Sequence, residues 1–524
     1  MKSLMKRGLL LLLALTMLLG CLALASCETD DGSNPDENGT GTGGGNAPVT
    51  LEPLTGEARD YLPTEKKYKN YEFVMHAPKQ NEYGTGHYVH LEGSEDIIDL
   101  ALRHREILMQ DMFGVILTLN TDLNANGMYT SLQSNHRAQK HFADVLFTEA
   151  SDSMQAASQG MVWNLNLLEE LNLEASYYDQ RIQQNFRIGD MLFQLTGDYE
   201  VLDELVTFGV LYNDFVYKNL GYYDSEGTPY QMVKEYRWTY AKMMELASEF
   251  TSITGAEHPQ DEQWGIVSEQ QAVYYFYMGS GLQPMQSVNG ELEILLSDKT
   301  NFDLTLNAVE TLMGFSVSDD MLFSSDIVIV DSRTKSQIAS DIFEENRALF
   351  RTTSLSDALY CSEMEKDFGI LPVPLLAEGQ TAYYNQINAD AAWPMCIPFY
   401  VNDVHRVADI FERLSYYSRY GSDTTLYEEF FQRLADARIC RKSDDRLMME
   451  LVFSTKVYCI DTYLPGGSTG LRSIVISMAS AKKGPVDLGS KLTGAVSTAE
   501  KTLHKYVDLY DLKNSTQEDR YNGN

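Results

Sequence analysis

From about residue 70 the chain alternates short apolar runs with stretches of helical periodicity. Tyr71–Met75 (YEFVM) reads as a buried strand. In SEDIIDLALRHREILMQDMF, Ile97, Ala101, Leu108 and Met112 recur on one helical face, Ser94 suits the N-cap, and acids fill the first turn. VILTL (Val115–Leu119), a polar helix near Ser131–Lys140, and DVLFT (Asp144–Thr148) complete a βαβαβ order. That order predicts a parallel sheet covered on both faces, with ligand beyond the carboxyl ends of its strands.

A second series follows FRIGDMLFQLTGDYE. TFGVLYND reads as a strand, YRWTYAKMMELASEF places Tyr240, Met243, Met244, Ala247 and Phe250 at helical spacing, and WGIVS (Trp264–Ser268) is another strand. NRALFRT (Asn346–Thr352), FGILPVP (Phe368–Pro374) and a long helix over Asp403–Tyr417 continue it. Roughly 460 residues of such pattern exceed the ~250 to 300 at which one core stops growing, so two α/β lobes are predicted.

The first fifty residues differ. Lys2, Lys6 and Arg7 precede nineteen uncharged, mostly apolar residues, Gly8–Ser26, which end in small side chains before Cys27. An acidic, Gly-rich stretch follows instead of a basic stop-transfer cluster, so residues 1–26 read as an export signal rather than a retained membrane helix. Leu24-Ala25-Ser26-Cys27 resembles the bacterial lipoprotein signal, which implies a lipidated Cys27 as the new first residue and a tethered domain outside the cytoplasm. Residues 28–50 lack the apolar side chains needed to offset the entropy of ordering; they are expected to be a flexible tether reaching about 25 to 30 Å.

Charge removes one class of partner. The formal net charge is −34, and loss of the leader makes it three units more negative. Such a surface repels phosphate backbones, and no basic stripe offsets it, so nucleic acid is excluded. The remaining cysteines, Cys361, Cys396, Cys440 and Cys459, form no CxxC; they permit a disulfide without selecting a pairing.

Several passages together resemble the carbohydrate-binding group of extracellular solute-binding proteins of ABC importers, to which maltose-binding proteins belong. IGDMLFQLTGDYEVLDELVTFGVLYNDFVYKNLG looks like that group's passage between lobes, PYQMVKEYRWTYAKMMELASEF like its Trp-Thr helix start, and FEENRALFRTTSLSDA with DFGILPVPL like its strand and Gly-Ile-x-Pro-x-Pro segment. The resemblance covers most of residues 65–465 and rests on the order of soft motifs. It implies an α/β, two-lobe, periplasmic-binding-protein-like fold of type II, with a ligand cleft between lobes joined by crossing strands. One lobe would comprise 61–205 plus about 381–420, the other 206–380 plus about 421–524, after a tether over 27–60. TGAEHPQDEQWG lacks the alternating oxygen ligands of the calcium loop found in many relatives, so no calcium is expected there. VYCID, around Cys459, also departs from the pattern.

The implied function is a cell-surface binding component, a monomer that closes on a small-molecule ligand, by resemblance a carbohydrate, and delivers it to permease subunits. It would contact the membrane only through its anchor, at the extracellular face of the bacterial cytoplasmic membrane, and use no cofactor. Strand-end positions nominate the cleft: Thr148, Glu149, Ser151 and Asp152 after DVLFT; Glu269, Gln270, Tyr274 and Tyr275 after WGIVS; Arg351, Thr352 and Thr353 in LFRTTS; and Tyr384, Asn388 and Trp393 in the returning YYNQINADAAW. Ser151 or Asp152 serves equally as a helix cap, the tyrosines suit a core, and Trp393 suits hinge packing. His87-x-x-His90, with His76 and His104, lacks the companions of a zinc site, and Tyr83 or Tyr88 offers a ligand contact from the same loop. The competing classes are a tethered glycoside hydrolase, which needs two placed carboxylates, and a binding lipoprotein for peptides or other solutes. No GxSxG, HExxH, P-loop or post-strand GxGxxG nominates a reaction.

Overall fold

The structure, a computed structural model, describes residues 68–79, 88–376, 379–420, 424–431, 439–481 and 486–523. The leader, Cys27, the tether, Tyr83 and His87 lie outside the described residues. The strands in chain order are β1 (Tyr71–His76), β2 (Val115–Asn120), β3 (Val145–Phe147), β4 (Phe208–Asn213), β5 (Trp264–Ser268), β6 (Gln286–Val288), β7 (Glu291–Glu293), β8 (Met321–Phe323), β9 (Ala348–Ser354), β10 (Phe368–Leu371), β11 (Asn385–Gln386), β12 (Met395–Cys396) and β13 (Lys456–Val457).

Two main sheets result, ordered β12-β3-β1-β2 and β10-β4-β9-β5-β8. In the first, β1 runs parallel to β2 with Tyr71 opposite Val115, and parallel to β3 with Met75 opposite Val145. The expected all-parallel order fails at one strand in each sheet. β12 is antiparallel to β3, with Met395 opposite Phe147, and β4 is antiparallel to both β9 and β10. The reason is connectivity: β4 and β12 each bring the chain in from the other lobe, so each enters its sheet from the side toward which the other strands run. Beside these crossings β11 and β13 pair in parallel, Asn385 with Lys456.

Local chemistry sets the helix boundaries. Thr239 caps the Tyr240–Phe250 helix through Lys242 N, while the wholly buried Trp238 before it donates from Nε1 to the Pro372 carbonyl at 2.9 Å. The helix expected from Ser94 begins later, at Ile97, because Asp96 accepts from Ile98 N at 2.9 Å and Ser94 instead donates to Asp99. Its buried face is Ile98, Ala101, Leu102 and Arg105. Met109–Phe113 then winds as a π turn, which breaks the 3.6-residue register and leaves Met112 exposed. The polar helix covers Ala125–Ala138, capped by Asn124.

Strand alternation sorts the second sheet's side chains into two buried layers. Val210, Tyr212, Ile266, Met321 and Phe350 belong to one cluster; Leu211, Val267, Leu322 and Ile370 belong to another. Each large side chain so buried contributes about 1.5 to 3 kcal/mol. A third cluster surrounds the first sheet. The long Leu488–Asn514 helix touches both lobes: Leu488, Leu492 and Val496 join the second lobe's core, whereas Leu503 and Tyr510 join the first, with Tyr510 donating to the Met154 carbonyl at 2.8 Å.

At Gly369, on β10, a side chain would collide with the Tyr212 ring, the Tyr230 hydroxyl and the Asp445 carboxylate. Tyr230 donates to that carboxylate, which also accepts from the Ile370, Arg441 and Lys442 amides. In the segment TGAEHPQDEQWG, Glu262 organises the turn itself. Its carboxylate accepts from the amides of Thr254, Gly255 and Ala256 and from the Thr254 hydroxyl.

Candidate functional site

Where β3 ends, Thr148 is buried and its amide donates to the Pro394 carbonyl at 3.3 Å, tying the strand end to the returning crossing segment. Glu149 is the N-cap position of the Ala150–Ser158 helix but makes no side-chain cap; Ser151 and Asp152 lie in the first turn. Neither Glu149 nor Asp152 is paired with a Lys or Arg among the described residues. Burial, then the charges of Asp152 and Asp390, push Glu149 up to about 7, and burial also raises Asp152. Asp152 and Thr148 share a small recess with Met128, Tyr129, Leu132 and Leu146.

The crossing segment adds Asn388, Asp390 and Trp393. The Asn388 side chain accepts from the Tyr275 hydroxyl at 3.2 Å and donates to Ser354 Oγ, at the end of β9, at 3.4 Å. Asp390 pairs with Arg472, in the first turn of the Leu471–Ser480 helix, at 2.5 Å. Trp393 is 4 % exposed, yet its indole Nε1 has no hydrogen-bond partner, and the Arg472 Nε is likewise buried and unpaired. Burial raises the Tyr275 phenol to about 12, opposed by Arg472 and reinforced by Asp390. One region therefore gathers Glu149 and Asp152 from the first lobe, Asn388 and Asp390 from the crossing, and Tyr275 and Arg472 from the second lobe.

Other nominated residues lie elsewhere or point inward. Arg351 is wholly buried and its guanidinium grips Glu269 at 2.8 Å and Asp357 at 2.9 Å. Glu269 also accepts from Ser324, Gln270 donates to Ser325, and Thr352 donates to Ser268 Oγ at 2.6 Å. This group knits together the ends of β5, β8 and β9, with Thr353 buried beside it. Tyr274 is core, its hydroxyl bonded to Thr462 Oγ1 at 3.0 Å. Tyr384 packs over the turn at Gly281, apart from Asn388.

The described histidines go to separate partners. His76 meets Asn120, His90 pairs with Glu106 at 2.8 Å, and His104 meets the Thr424 carbonyl. Tyr88 is buried, stacked on Phe147 at 3.7 Å between ring centroids, with its hydroxyl 3.5 Å from the Trp393 carbonyl. Cys361, Cys396 and Cys459 are buried thiols.

Sequence reasoning missed Asp390 and Arg472, and it missed a buried ion cluster at the hinge. Lys456 of β13 lies 3.1 Å from Asp179, 2.8 Å from Asp203 and 2.9 Å from Glu204, and Tyr458 donates to Asp203 at 3.2 Å. Burial alone would raise Asp203, but the Lys456 charge holds it low; burial and the Asp203 charge raise Glu204, and burial with both neighbours raises Glu200. Asp203 and Glu204 immediately precede the β4 crossing, so the cluster pins two of the connecting segments together. Proximity in sequence signals only the Asp203-Glu204 half of it.

No protein-family model matches the chain, and no curated protein matches it in sequence. Solved structures do. A cyclo/maltodextrin-binding protein complexed with maltotetraose superposes with a TM-score of 0.53 at 11 % identity, over 82 % of this chain and 96 % of that one. An ABC substrate-binding protein from Listeria monocytogenes in complex with cycloalternan gives 0.52 at 12 %, over 82 % and 98 %. The chain has the fold of the solute-binding proteins: an α/β, two-lobe, periplasmic-binding-protein-like architecture of type II. The structures it resembles are maltodextrin-binding and ABC substrate-binding proteins.

Proposed function

We propose that the protein is the cell-surface substrate-binding component of an ABC importer. A lipidated Cys27 holds it at the extracellular face of the bacterial cytoplasmic membrane. Its lobes close on a sugar or oligosaccharide and pass it unaltered to permease subunits. The observation that supports this reading best is the convergence of Glu149, Asn388, Asp390, Tyr275 and Arg472 from both lobes and the crossing. A polyol needs acceptors and donors together, and that set supplies carboxylates, an amide, a phenol and a guanidinium. A few hydrogen bonds to charged groups, at about 1.5 to 3 kcal/mol each, account for the ~8 kcal/mol of micromolar binding. The ligands printed for the superposable structures, maltotetraose and cycloalternan, are of this chemical kind.

Closure follows if the ligand binds the closed form better than the open one. Calorimetry against mono- and oligosaccharides, with small-angle scattering on the same samples, tests it. Binding heat with a smaller radius of gyration and unchanged sugar in the recovered ligand is expected. Released product would instead place the protein among glycoside hydrolases, and response to oligopeptides alone would change the ligand class.

A further inference from the structure

The short helix Pro229–Lys234 ends in a turn that favours glycine but holds a tyrosine. Glu235 is its C-cap; the Arg237 amide then donates to the Met232 carbonyl at 2.7 Å and the Tyr236 amide to the Val233 carbonyl at 3.1 Å. This pair of bonds sets residue 236 in the left-handed region, where Gly is the usual occupant and Asn the next. Tyr236 adopts it with φ 55°. The other non-glycine residues of positive φ among the described residues are Asn, Asp, Lys or Gln, which leaves Tyr236 as the one aromatic. A bulky side chain kept on strained backbone points to a use for the side chain itself.

The ring is held in place and left open. Its plane lies 17° from that of Tyr383, with the centroids 6.0 Å apart. Tyr383 is buried, and its hydroxyl donates at 3.0 Å to the same Val233 carbonyl that receives the Tyr236 amide, so one backbone oxygen anchors both residues. Tyr236 is nonetheless 46 % exposed. Two other aromatic side chains stand comparably open among the described residues, and each has a polar partner: Phe215 lies under Lys366, and Tyr360 donates to Asp341 at 3.1 Å. The Tyr236 ring has only its stack on Tyr383. On either side of it in the chain, Glu235 and Arg237 pair with each other at 2.7 Å, both exposed.

An aromatic face is electronegative and attracts the C–H groups of a pyranose ring, whose hydroxyls project around the edge. The exposed carboxylate and guanidinium supply the acceptor and donors those hydroxyls need. A protein partner fits less well, because one ring is far below the roughly 800 Å² that each side of a stable interface buries. Resting on the sugar-binding reading above, we infer that Tyr236 is a second carbohydrate contact, separate from the interlobe set, whose ring stacks on one unit of a polysaccharide while Glu235 and Arg237 take hydroxyls beside it. It holds polymer at the surface of the second lobe, next to the cleft's supply of oligosaccharide.

The test is affinity electrophoresis of the full-length protein in detergent-containing native gels cast with amylopectin, mixed-linkage β-glucan or glucomannan. At least one of the three polymers should retard the wild type. Tyr236→Asn, which suits the left-handed backbone, should weaken that retardation at least fivefold while melting no lower than the wild type and leaving calorimetric oligosaccharide affinity unchanged. Tyr236→Phe should stay within twofold of the wild type, and Arg472→Ala should still be retarded. Undiminished retardation of Tyr236→Asn, or no retardation of the wild type by any polymer, overturns the inference and leaves the cleft reading to the calorimetry of oligosaccharides. A lower melting temperature for Tyr236→Asn also overturns it, because the ring would then be there to cover Tyr383. Loss of oligosaccharide binding heat in the wild type overturns the cleft reading on which the inference rests.

Discussion

Asp390, on the segment returning to the first lobe, is held 2.5 Å from Arg472, on the first turn of a second-lobe helix. A cation at a helix N-terminus is unfavourable, and Asp390 compensates it. The pair therefore couples the crossing to the second lobe at the place where Tyr275 and Asn388 meet.

Replacing Arg472 with Ala removes that coupling and a donor from the proposed site. Ligand affinity should fall tenfold or more in calorimetry, with a modest loss of thermal stability. Undiminished affinity would place Arg472 outside the site.

Glu149 makes stability depend on pH in a defined direction. Its folded-state carboxyl titrates at about 7 against an ordinary 4.5, so the folded state holds the proton more tightly. Stability from this group is present below pH 4.5 and is lost as the pH rises through 7. Glu149→Gln should thus be nearly neutral at pH 4 and stabilising at pH 8, by about 1 kcal/mol once screening of a half-exposed group is allowed for. Urea unfolding at the two pH values measures it; destabilisation at pH 8 contradicts it.

At the hinge, Lys456→Met strands Asp179, Asp203 and Glu204 without their shared cation. Breaking a buried pair in this way costs about 3 to 5 kcal/mol. The urea midpoint should drop accordingly, and less at pH 4.5 than at pH 8, because protonation relieves the stranded carboxylates.

Gly369→Ala inserts a methyl group between the Tyr212 ring and the Tyr230–Asp445 pair. Overpacking of this kind costs about 1 to 3 kcal/mol. A thermal melt should show the loss, whereas Gly314→Ala, which has open space around the added carbon, should be tolerated.

Cys27→Ala tests the anchor. The wild-type mature protein should carry a lipid on its N-terminal thiol by mass spectrometry and partition with membranes. The variant should be found in the medium or keep its leader, and an unlipidated wild type would refute the assignment.

Sequence by itself determined the elements and their order. The runs at Phe208–Asn213 and Trp264–Ser268 are strands because continuous apolar residues bury both faces of a sheet, whereas Tyr71–His76 buries alternate residues, Phe73 and Met75. Thr239 begins a helix because its hydroxyl caps locally. Such signals lie within a few residues of their effects, which is also why the Ser94 cap missed by so little: two competing caps, Ser94 and Asp96, stood side by side. The two-lobe class was within reach for the same reason, through the order of these elements.

Tertiary structure alone decided which polar residues face one another. Arg351 stood at a strand end like a ligand contact, but Glu269, just past the end of β5, and Asp357, on the helix that follows β9, neutralise it. Arg472 carried no local signal, and only the fold brings it to Asp390 across 82 positions of chain. Lys456 meets Asp203 across 253. An ion pair's identity depends on distance in space, which falls off over a few ångströms, while sequence records distance along the chain. Periodicity therefore reports burial residue by residue, and charge pairing waits on the closing of the sheets.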